Sequence, residues 1–371
     1  MAPLTLILSL LFAFLLHGQQ VLAGSAIWQP ALVPRSRPHS LNRRYFYARK
    51  AAPGFGVAQP WPNRVIKYCF NPNPATQAAK AMLKKNLKDA RKIWVAKGLN
   101  SNFRIEEAHG DACLDLEDVL MISYTGNGAN SGMGSSVGQL STNNMHLTDR
   151  VDMGMLDVVA NFAHELGHAW GLYHEHQNPN FWQGVVDATG NGELFGPGNP
   201  GQWNCENLID YASVALGGGL VVQTGQNNQG NTRTVDMQRL CSSYDLARGA
   251  RFTALDYLPM GGRGTPHSTN GKGVDDVDWS SIMIYASGAG AVPLDPGEEP
   301  GETDRRARIL QQPNGERIAK NLFPSALDIL ALNTLYADVG GTKLSLLNSM
   351  TSFKKVYKTS DSGPSGGSGC L

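Results

Sequence analysis

The feature that most constrains this chain is a run of histidine, glutamate and glycine within residues 158–175, which read VVANFAHELGHAWGLYHE. The run contains the pattern HExxHxxGxxH, formed by His164, Glu165, His168, Gly171 and His174. Residues four apart lie on one face of an α-helix, so His164 and His168 are predicted to direct two imidazoles at one point. Gly171 is expected to end that helix in the left-handed conformation and to let the chain bring His174 back to the same point.

Three neutral imidazoles that converge on one point are a ligand set for Zn²⁺. They leave a tetrahedral ion with one position for water, which is the arrangement of a catalytic site and not of a closed structural one. Glu165 lies between the two helical ligands, His164 and His168, and is predicted to take a proton from that water. The pattern therefore predicts one catalytic zinc ion. The alternative interpretation is a core helix that carries histidines without binding a metal.

A second motif lies far downstream, where residues 278–285 read DWSSIMIY. This segment resembles the methionine turn that lies beneath the zinc of metzincin peptidases, with Met283 as the methionine. Within that clan, a glutamate directly after the third histidine and a tyrosine two residues after the methionine are typical of astacins. Glu175 and Tyr285 stand at these two positions. The chain therefore resembles the astacin family of zinc endopeptidases.

The resemblance implies an α+β fold of the metzincin (zincin-like) type, with a mixed sheet, a backing helix and an active-site helix above the cleft. A second, smaller subdomain below would hold the methionine turn and a C-terminal helix. Tyr285 would be an additional zinc ligand at rest and would swing away to hydrogen-bond the tetrahedral intermediate; a packed core tyrosine is the alternative. Met283 is expected to fill the floor beneath the ligands. Glu175 is expected to be structural and tied to the amino terminus of a processed chain.

The expected substrates are proteins or peptides. Residues 144–147 resemble the edge strand that borders the cleft in this clan, and an extended peptide can join such a strand through its unpaired amide and carbonyl groups. His146 lies in this segment, but three ligands are already supplied without it. The net charge of +1 does not point to a nucleic-acid partner.

The ends of the chain differ from its middle. Residues 4–16 are apolar but too short to span a bilayer, so residues 1–23 are predicted to be a signal peptide of a secreted protein. Residues 24–60 are basic and are expected to be a pro-segment or a flexible lead. Residues 61–337 would form the catalytic domain, with long insertions within 178–280, and residues 338–371 a flexible glycine- and serine-rich tail. No later stretch is long and apolar enough to be a membrane span.

Five cysteines in an exported chain favour disulfide bonds. Cys69 and Cys113 could join the first strand to the region before the next strand, and Cys205 and Cys241 could staple one insertion. Four cysteines already allow three connectivities, so these pairs remain candidates. Cys370 would then be left over in the tail.

Apolar periodicity and turn residues predict the main elements around these motifs. A strand is expected within residues 61–70, followed by a helix capped by Thr76 and closed by Gly98. A buried strand is expected at 119–124, a loop at 126–138, and two further loops at 184–201 and 217–231. Ser325 is the predicted N-cap of a last helix that extends to Tyr336.

These observations favour a secreted zinc-dependent endopeptidase with Glu165 as its general base. The main alternative is a catalytically inactive secreted binding protein that keeps the fold. Such a protein normally lacks a ligand or the base, and this chain lacks neither. A different metallohydrolase that uses the same three histidines is the third possibility, which Met283 and Tyr285 disfavour.

Overall fold

The computed structural model describes the chain in eight stretches, namely residues 59–128, 131–140, 142–185, 192–199, 201–224, 230–259, 274–292 and 304–337. The predicted signal peptide, nearly all of the predicted pro-segment and the predicted carboxy-terminal tail with Cys370 lie outside these stretches. Within them, no helix has both the length and the apolar composition needed to cross a bilayer.

The strands form one five-stranded mixed sheet and one separate hairpin. The strands of the sheet are β1 (Val65–Phe70), β2 (Arg104–Glu107), β3 (Leu120–Tyr124), β4 (Gly134–Ser135) and β5 (Asn143–Leu147), in the spatial order β2-β1-β3-β5-β4. All neighbouring strands run parallel except β4, which is antiparallel to β5. The hairpin pairs β6 (Leu220–Thr224) with β7 (Gly230–Thr234). A mixed sheet combined with helices is the fold class that the sequence predicted.

The described helices differ greatly in length. They are α1 (Pro74–Ala96), α2 (Val158–Trp170), α3 (Tyr211–Leu216), α4 (Met237–Leu240), α5 (Tyr244–Ala250) and α6 (Ala326–Leu335). Short 3-10 segments lie at Pro62–Arg64, Gly110–Leu114, Glu175–Gln177, Pro179–Phe181, Cys205–Asn207, Thr253–Asp256 and Val274–Asp276. The last helix, α6, has Ser325 as its N-cap, as the sequence predicted.

Helix α1 begins three residues earlier than the sequence suggested, so the prediction of Thr76 as its N-cap was wrong. Asn73 is the N-cap, and its side chain accepts a hydrogen bond from the Ala75 amide at 2.8 Å. Pro74 suits the first helical position because it has a preset φ and no amide hydrogen to satisfy. Thr76 is fully buried instead, and its hydroxyl accepts from the Tyr124 amide at 2.9 Å. Thr76 thus joins α1 to β3.

Helices α1 and α2 pack together through tryptophans. The indole Nε1 of Trp94 on α1 donates to the Ala163 carbonyl on α2 at 2.9 Å. The rings of Trp94 and Trp170 meet edge to face with centroids 5.8 Å apart. From the end of α6, the hydroxyl of Tyr336 donates to the Trp170 carbonyl at 3.1 Å. These contacts pack α2 against α1 and against the end of α6 in the core.

The outer strand of the sheet is not the one that the sequence predicted. Residues 144–147 were expected to form the edge, but β5 lies between β3 and β4, and Gly134 and Ser135 of β4 pair with His146 and Met145. The prediction failed because β4 lies in a glycine-rich stretch that was expected to be a loop. A two-residue strand is too short to show alternating periodicity.

The insertion after α2 is more ordered than a loop. Residues 217–231 were predicted to be a loop, yet they include β6 and the first residues of β7. The insertion also contains α3, α4 and α5. A disulfide joins Cys205 to Cys241 across it, and a second disulfide joins Cys69 of β1 to Cys113. These are the two pairings that the cysteine spacing had offered.

Candidate metal centre

The two ends of α2 determine where its histidines lie. At its start, the Asp157 carboxylate accepts from the Ala160 amide at 2.8 Å and caps the helix. At its end, Gly171 adopts φ 113°, a left-handed conformation that glycine adopts without a steric cost. The Leu172 amide then donates back to the Gly167 carbonyl at 2.9 Å. This reversal brings the following residues, including His174, back beneath the helix.

The structure brings His164, His168 and His174 together at one point. Their Nε2 atoms lie 3.1 Å apart for His164 and His174, 3.1 Å for His164 and His168, and 3.0 Å for His168 and His174. All three side chains are buried, with at most 4% of their surface exposed. Within the described stretches, these three histidines form the group of potential metal-binding side chains that lie close enough together to hold one ion.

The opposite nitrogen of each ring is bonded to an acceptor. His164 Nδ1 donates to the Ile282 carbonyl at 2.7 Å, and His168 Nδ1 donates to the Leu172 carbonyl at 2.7 Å. His174 Nδ1 donates to the side-chain oxygen Oε1 of Gln177 at 2.9 Å. A carbonyl oxygen can only accept, so the ring proton lies on Nδ1 and the Nε2 lone pair is left to point inward.

Three inward lone pairs at this spacing fit a tetrahedral zinc ion. Zn–N bonds of about 2.0–2.1 Å at tetrahedral angles separate the nitrogens by roughly 3.3–3.4 Å, slightly more than the distances found here. Without a cation, three lone pairs would face one another in a buried space. Burial lowers the pKa of His164 to about 4 and the pKa values of His168 and His174 well below 6.5, so the rings are neutral, as metal ligands must be.

Glu165 lies beside this cluster, with only 2% of its surface exposed. Its Oε2 atom has no hydrogen-bond partner among the described residues. Burial raises the pKa of the Glu165 carboxyl to about 8. A divalent cation next to the carboxyl would favour its ionised form and lower that pKa. A buried carboxyl with an unused oxygen, held next to three imidazoles, is suited to exchange a proton with a small molecule in the site.

Met283 packs against the floor of α2. A β-carbon built on Gly167 would lie 2.5 Å from Met283 Sδ and 3.0 Å from Trp94 Cζ2. The thioether therefore fills the space directly beneath the helix segment that joins His164 to His168. The absence of a side chain at Gly167 makes this close approach possible.

We expect Gly167→Ala to destabilise the protein. Alanine favours a helix by about 1 kcal/mol over glycine, but the added carbon would overpack the core at a cost of roughly 1–3 kcal/mol. The net result is a free energy of unfolding lower by up to about 2 kcal/mol, measured by urea denaturation. Gly128→Ala is the control, because nothing lies within 4 Å of a β-carbon there. Met283→Ala would remove the clash with the added carbon. The double variant, Gly167→Ala with Met283→Ala, should therefore lose less stability than the sum of the two single losses. Strict additivity would contradict the packing described.

The segment around Met283 is hydrogen-bonded to the loop that carries His174 and to α6. The Glu175 amide donates to the Met283 carbonyl at 3.1 Å, and the Glu175 carboxyl oxygen Oε1 accepts from the Asp278 amide at 3.1 Å. From α6, the Asp328 carboxylate accepts from the Ser281 hydroxyl at 2.6 Å and from the Ile282 amide at 2.9 Å. Glu175 is thus bonded to the methionine turn. The amino terminus to which the resemblance would tie it lies outside the described residues.

Tyr285 lies against the histidine cluster. Its ring centroid is 4.4 Å from that of His174, 4.6 Å from that of His176 and 5.8 Å from that of His164. Burial, reinforced by the nearby carboxyl of Asp256, raises the pKa of the Tyr285 hydroxyl well above 10. The hydroxyl therefore keeps its proton at neutral pH and can donate a hydrogen bond.

A cavity of about 20 Å³ adjoins Glu165, His164 and Tyr285, enough space for about one water molecule. Its walls are largely apolar and rich in methionine. The lining residues are Met133, Met153, Gly154, Met155, Asn161, His164, Glu165, Tyr285 and Ala289. Neither lysine nor arginine is among these described residues, and His164 is neutral, so this cavity offers no cation to an acidic side chain of a substrate.

Three supporting residues were missed in the sequence. His176 and Gln177 follow the third histidine directly, and both are fully buried. The signal that could have identified them as candidates is the run of polar residues directly after the motif. Asp328 had a clearer signal, since it stands three residues after Ser325, and the pair forms a capping box at the start of α6. Its second role, as acceptor for the methionine turn, required the tertiary structure.

The amino-terminal part of the described chain matches a known family. Residues 61–194 match the family model described as a dual-action HEIGH metallo-peptidase, and the corresponding segment here reads HELGH. No curated protein matches the sequence.

Several solved structures are similar at low identity. A structure of myroilysin is 18% identical, with a TM-score of 0.36, and the match covers 75% of this chain and 95% of that one. High choriolytic enzyme 1, a hatching-enzyme zinc-protease from the medaka fish Oryzias latipes, is 16% identical, with a TM-score of 0.36 and coverage of 78% and 98%. A second structure of myroilysin is 16% identical, with a TM-score of 0.34 and coverage of 83% and 99%.

The family match and the histidine triad agree on the class of protein. The matched residues include His164, Glu165, His168 and His174, the side chains that the fold brings together. Together they support a zinc metallopeptidase.

Proposed function

We propose that this chain is a secreted zinc endopeptidase of the metzincin clan with the features of an astacin. The observation that carries the proposal is the convergence of three Nε2 atoms, 3.0–3.1 Å apart, from rings whose Nδ1 atoms are bonded elsewhere. His164, His168 and His174 would hold one Zn²⁺ ion. When bound, the ion would supply a Lewis acid that polarises a peptide carbonyl and makes water more acidic.

The proposed chemistry of the protein residues begins with Glu165. Its unused carboxyl oxygen would accept a proton from the attacking water and later deliver that proton to the leaving amine. Tyr285 keeps its proton and would donate a hydrogen bond to the oxygen that becomes negative during attack. The apolar cavity beside both side chains would keep bulk water away and strengthen these interactions.

The proposed substrates are extended protein or peptide chains. An extended chain would bind along the outer side of the sheet, where β4 and not β5 offers the free edge. Main-chain hydrogen bonds of this kind do not depend on side chains, so they would orient many sequences in one way. Extracellular location is supported by the predicted signal peptide and by the two disulfides, Cys69–Cys113 and Cys205–Cys241.

We expect removal of the metal to abolish proteolysis reversibly. The purified secreted protein should contain one zinc ion per chain and should cleave casein. Treatment with 1,10-phenanthroline should reduce cleavage to the level of buffer alone, and added Zn²⁺ should restore it, because the three histidines remain in place. The 1,7 isomer, which cannot chelate, is the control. Cleavage that persists after zinc is removed would contradict the proposal, and a zinc-loaded chain that binds peptides without cutting them would favour the inactive binding protein.

A further inference from the structure

The loop that carries the third histidine is joined to the insertion by a set of side-chain hydrogen bonds. His176 Nε2 donates to the Asp256 carbonyl at 3.0 Å. Gln177 Nε2 donates to the Leu255 carbonyl and to the Leu258 carbonyl, each at 3.1 Å. About 80 positions separate the two partners in each bond. The side-chain N–H groups of His176 and Gln177 therefore bind backbone carbonyls within residues 255–258 of the insertion.

Gln177 occupies the centre of this arrangement. Its Oε1 accepts from His174 Nδ1 at 2.9 Å, while its two N–H groups serve Leu255 and Leu258. The two carbonyls can only accept, so the amide nitrogen must face them and the amide oxygen must face His174. This orientation places the ring proton of His174 on Nδ1 and leaves the Nε2 lone pair for the metal. A carboxylate or an apolar side chain at position 177 would not satisfy all three partners.

The turn Thr253–Asp256, which Gln177 contacts, is held by hydrogen bonds within the insertion. Asp210 accepts from the Thr253 amide at 2.8 Å and from the Thr253 hydroxyl at 2.7 Å, which anchors the start of the turn Thr253–Asp256. The Cys205–Cys241 disulfide closes the segment that contains Asp210 and precedes the turn. A continuous chain of covalent and hydrogen bonds thus leads from this disulfide to the third histidine.

We propose that Gln177 is a positioning residue through which the described part of the insertion, residues 205–224 and 230–258, orients His174 and retains the zinc ion. The inference rests on the proposed zinc site. It assigns to the insertion a role in metal retention: the insertion supplies the fixed carbonyls that hold the glutamine, and the glutamine holds the ring.

The first test compares zinc release from Gln177→Leu and from the parent protein, both as the full secreted chain. Zinc released to a chromogenic chelator would be followed well below the melting temperature of both. Because the His174 ring loses its acceptor, we expect release about 10- to 100-fold faster in the variant. Gln139→Leu is the matched control. It also loses two amide hydrogen bonds, to the Glu117 carbonyl at 3.0 Å and to Asp118 at 3.1 Å, but it contacts none of the metal ligands, so its release rate should equal that of the parent.

The second test uses the two disulfides as a matched pair. Cys205→Ser with Cys241→Ser should release zinc faster than the parent, whereas Cys69→Ser with Cys113→Ser should not, although both variants lose a cross-link and melt at lower temperature. This pair also remains informative if Gln177→Leu does not fold. Equal release rates for the parent, Gln177→Leu and the Cys205 variant would overturn the inference. A parent protein that contains no zinc would instead overturn the proposed function.

Discussion

Glu165→Gln is expected to retain zinc at the parent level and to lose proteolytic activity by about 10²- to 10⁴-fold in kcat/KM. Glutamine has nearly the shape of glutamate, so the buried site and the three histidines should stay in place. The amide nitrogen cannot accept a proton, so the path from the attacking water to the leaving amine is removed. Casein or peptide cleavage, measured with zinc content on the same preparation, checks both parts of this expectation.

The control for this substitution is Glu107→Gln. Glu107 forms ion pairs with Lys80 at 3.0 Å and with Lys84, and it belongs to β2, at the end of the sheet opposite β4. Its neutralisation should leave kcat/KM unchanged. If the Glu165→Gln protein cleaves as fast as the parent while it holds the same zinc, Glu165 is not the general base. Loss of both zinc and activity would instead assign Glu165 a role in building the site.

Tyr285→Phe is expected to lower kcat by about 10²- to 10³-fold with little change in KM or in zinc content, as for the loss of one donor to a developing oxyanion. Phenylalanine keeps the ring contacts of Tyr285 with His174 and His176 and removes only the hydroxyl. The variant therefore distinguishes the two roles of Tyr285 that the sequence left open, a hydrogen-bond donor to the tetrahedral intermediate and a packed core tyrosine. A donor to the transition state predicts a fall in kcat, because a hydrogen bond made only there does not affect substrate binding.

Tyr244→Phe provides the comparison. Tyr244 is also a buried tyrosine, and its hydroxyl has no hydrogen-bond partner among the described residues. Its loss should leave kcat unchanged. A Tyr285→Phe protein with kcat within about two-fold of the parent would show that Tyr285 is a packing residue, since only the ring would then matter. An increase in KM alone would point to a contact with the bound substrate.

Much of the candidate site was predictable because its pattern is local. The spacing of His164 and His168 follows from the pitch of a helix, and Gly171 follows from the need for a left-handed residue where the helix ends. Ser325 was predictable as an N-cap for the same reason, since a cap bonds to amides two or three residues away. In each case the interacting groups lie within one or two turns of the chain.

Other features depended on partners that no local pattern contains. The prediction of the edge strand was wrong because β4 pairs with β5 through only two residues. The N-cap of α1 was wrong because Thr76 is buried against Tyr124, and Asn73 caps the helix instead. Gln177 and Asp328 were missed because their partners lie about 80 and about 46 positions away. A polar residue near a motif acquires such a role only when the fold brings a distant acceptor or donor to it.

The sequence by itself identified the candidate metal ligands and the candidate base, because a helix places His164 and His168 on one face whatever surrounds it and Gly171 lets the chain reverse before His174. The tertiary structure decided how these side chains are oriented. The ring proton of each histidine is placed by an acceptor: Ile282 for His164, Leu172 for His168 and Gln177 for His174. Gln177 is in turn held by carbonyls of the insertion. Convergence of three lone pairs requires fixed ring orientations. Leu172 and Gln177 are close in sequence to the histidines that they orient, but Ile282 and the carbonyls that hold Gln177 lie about 118 and about 80 positions away, so contacts between distant parts of the chain complete the arrangement.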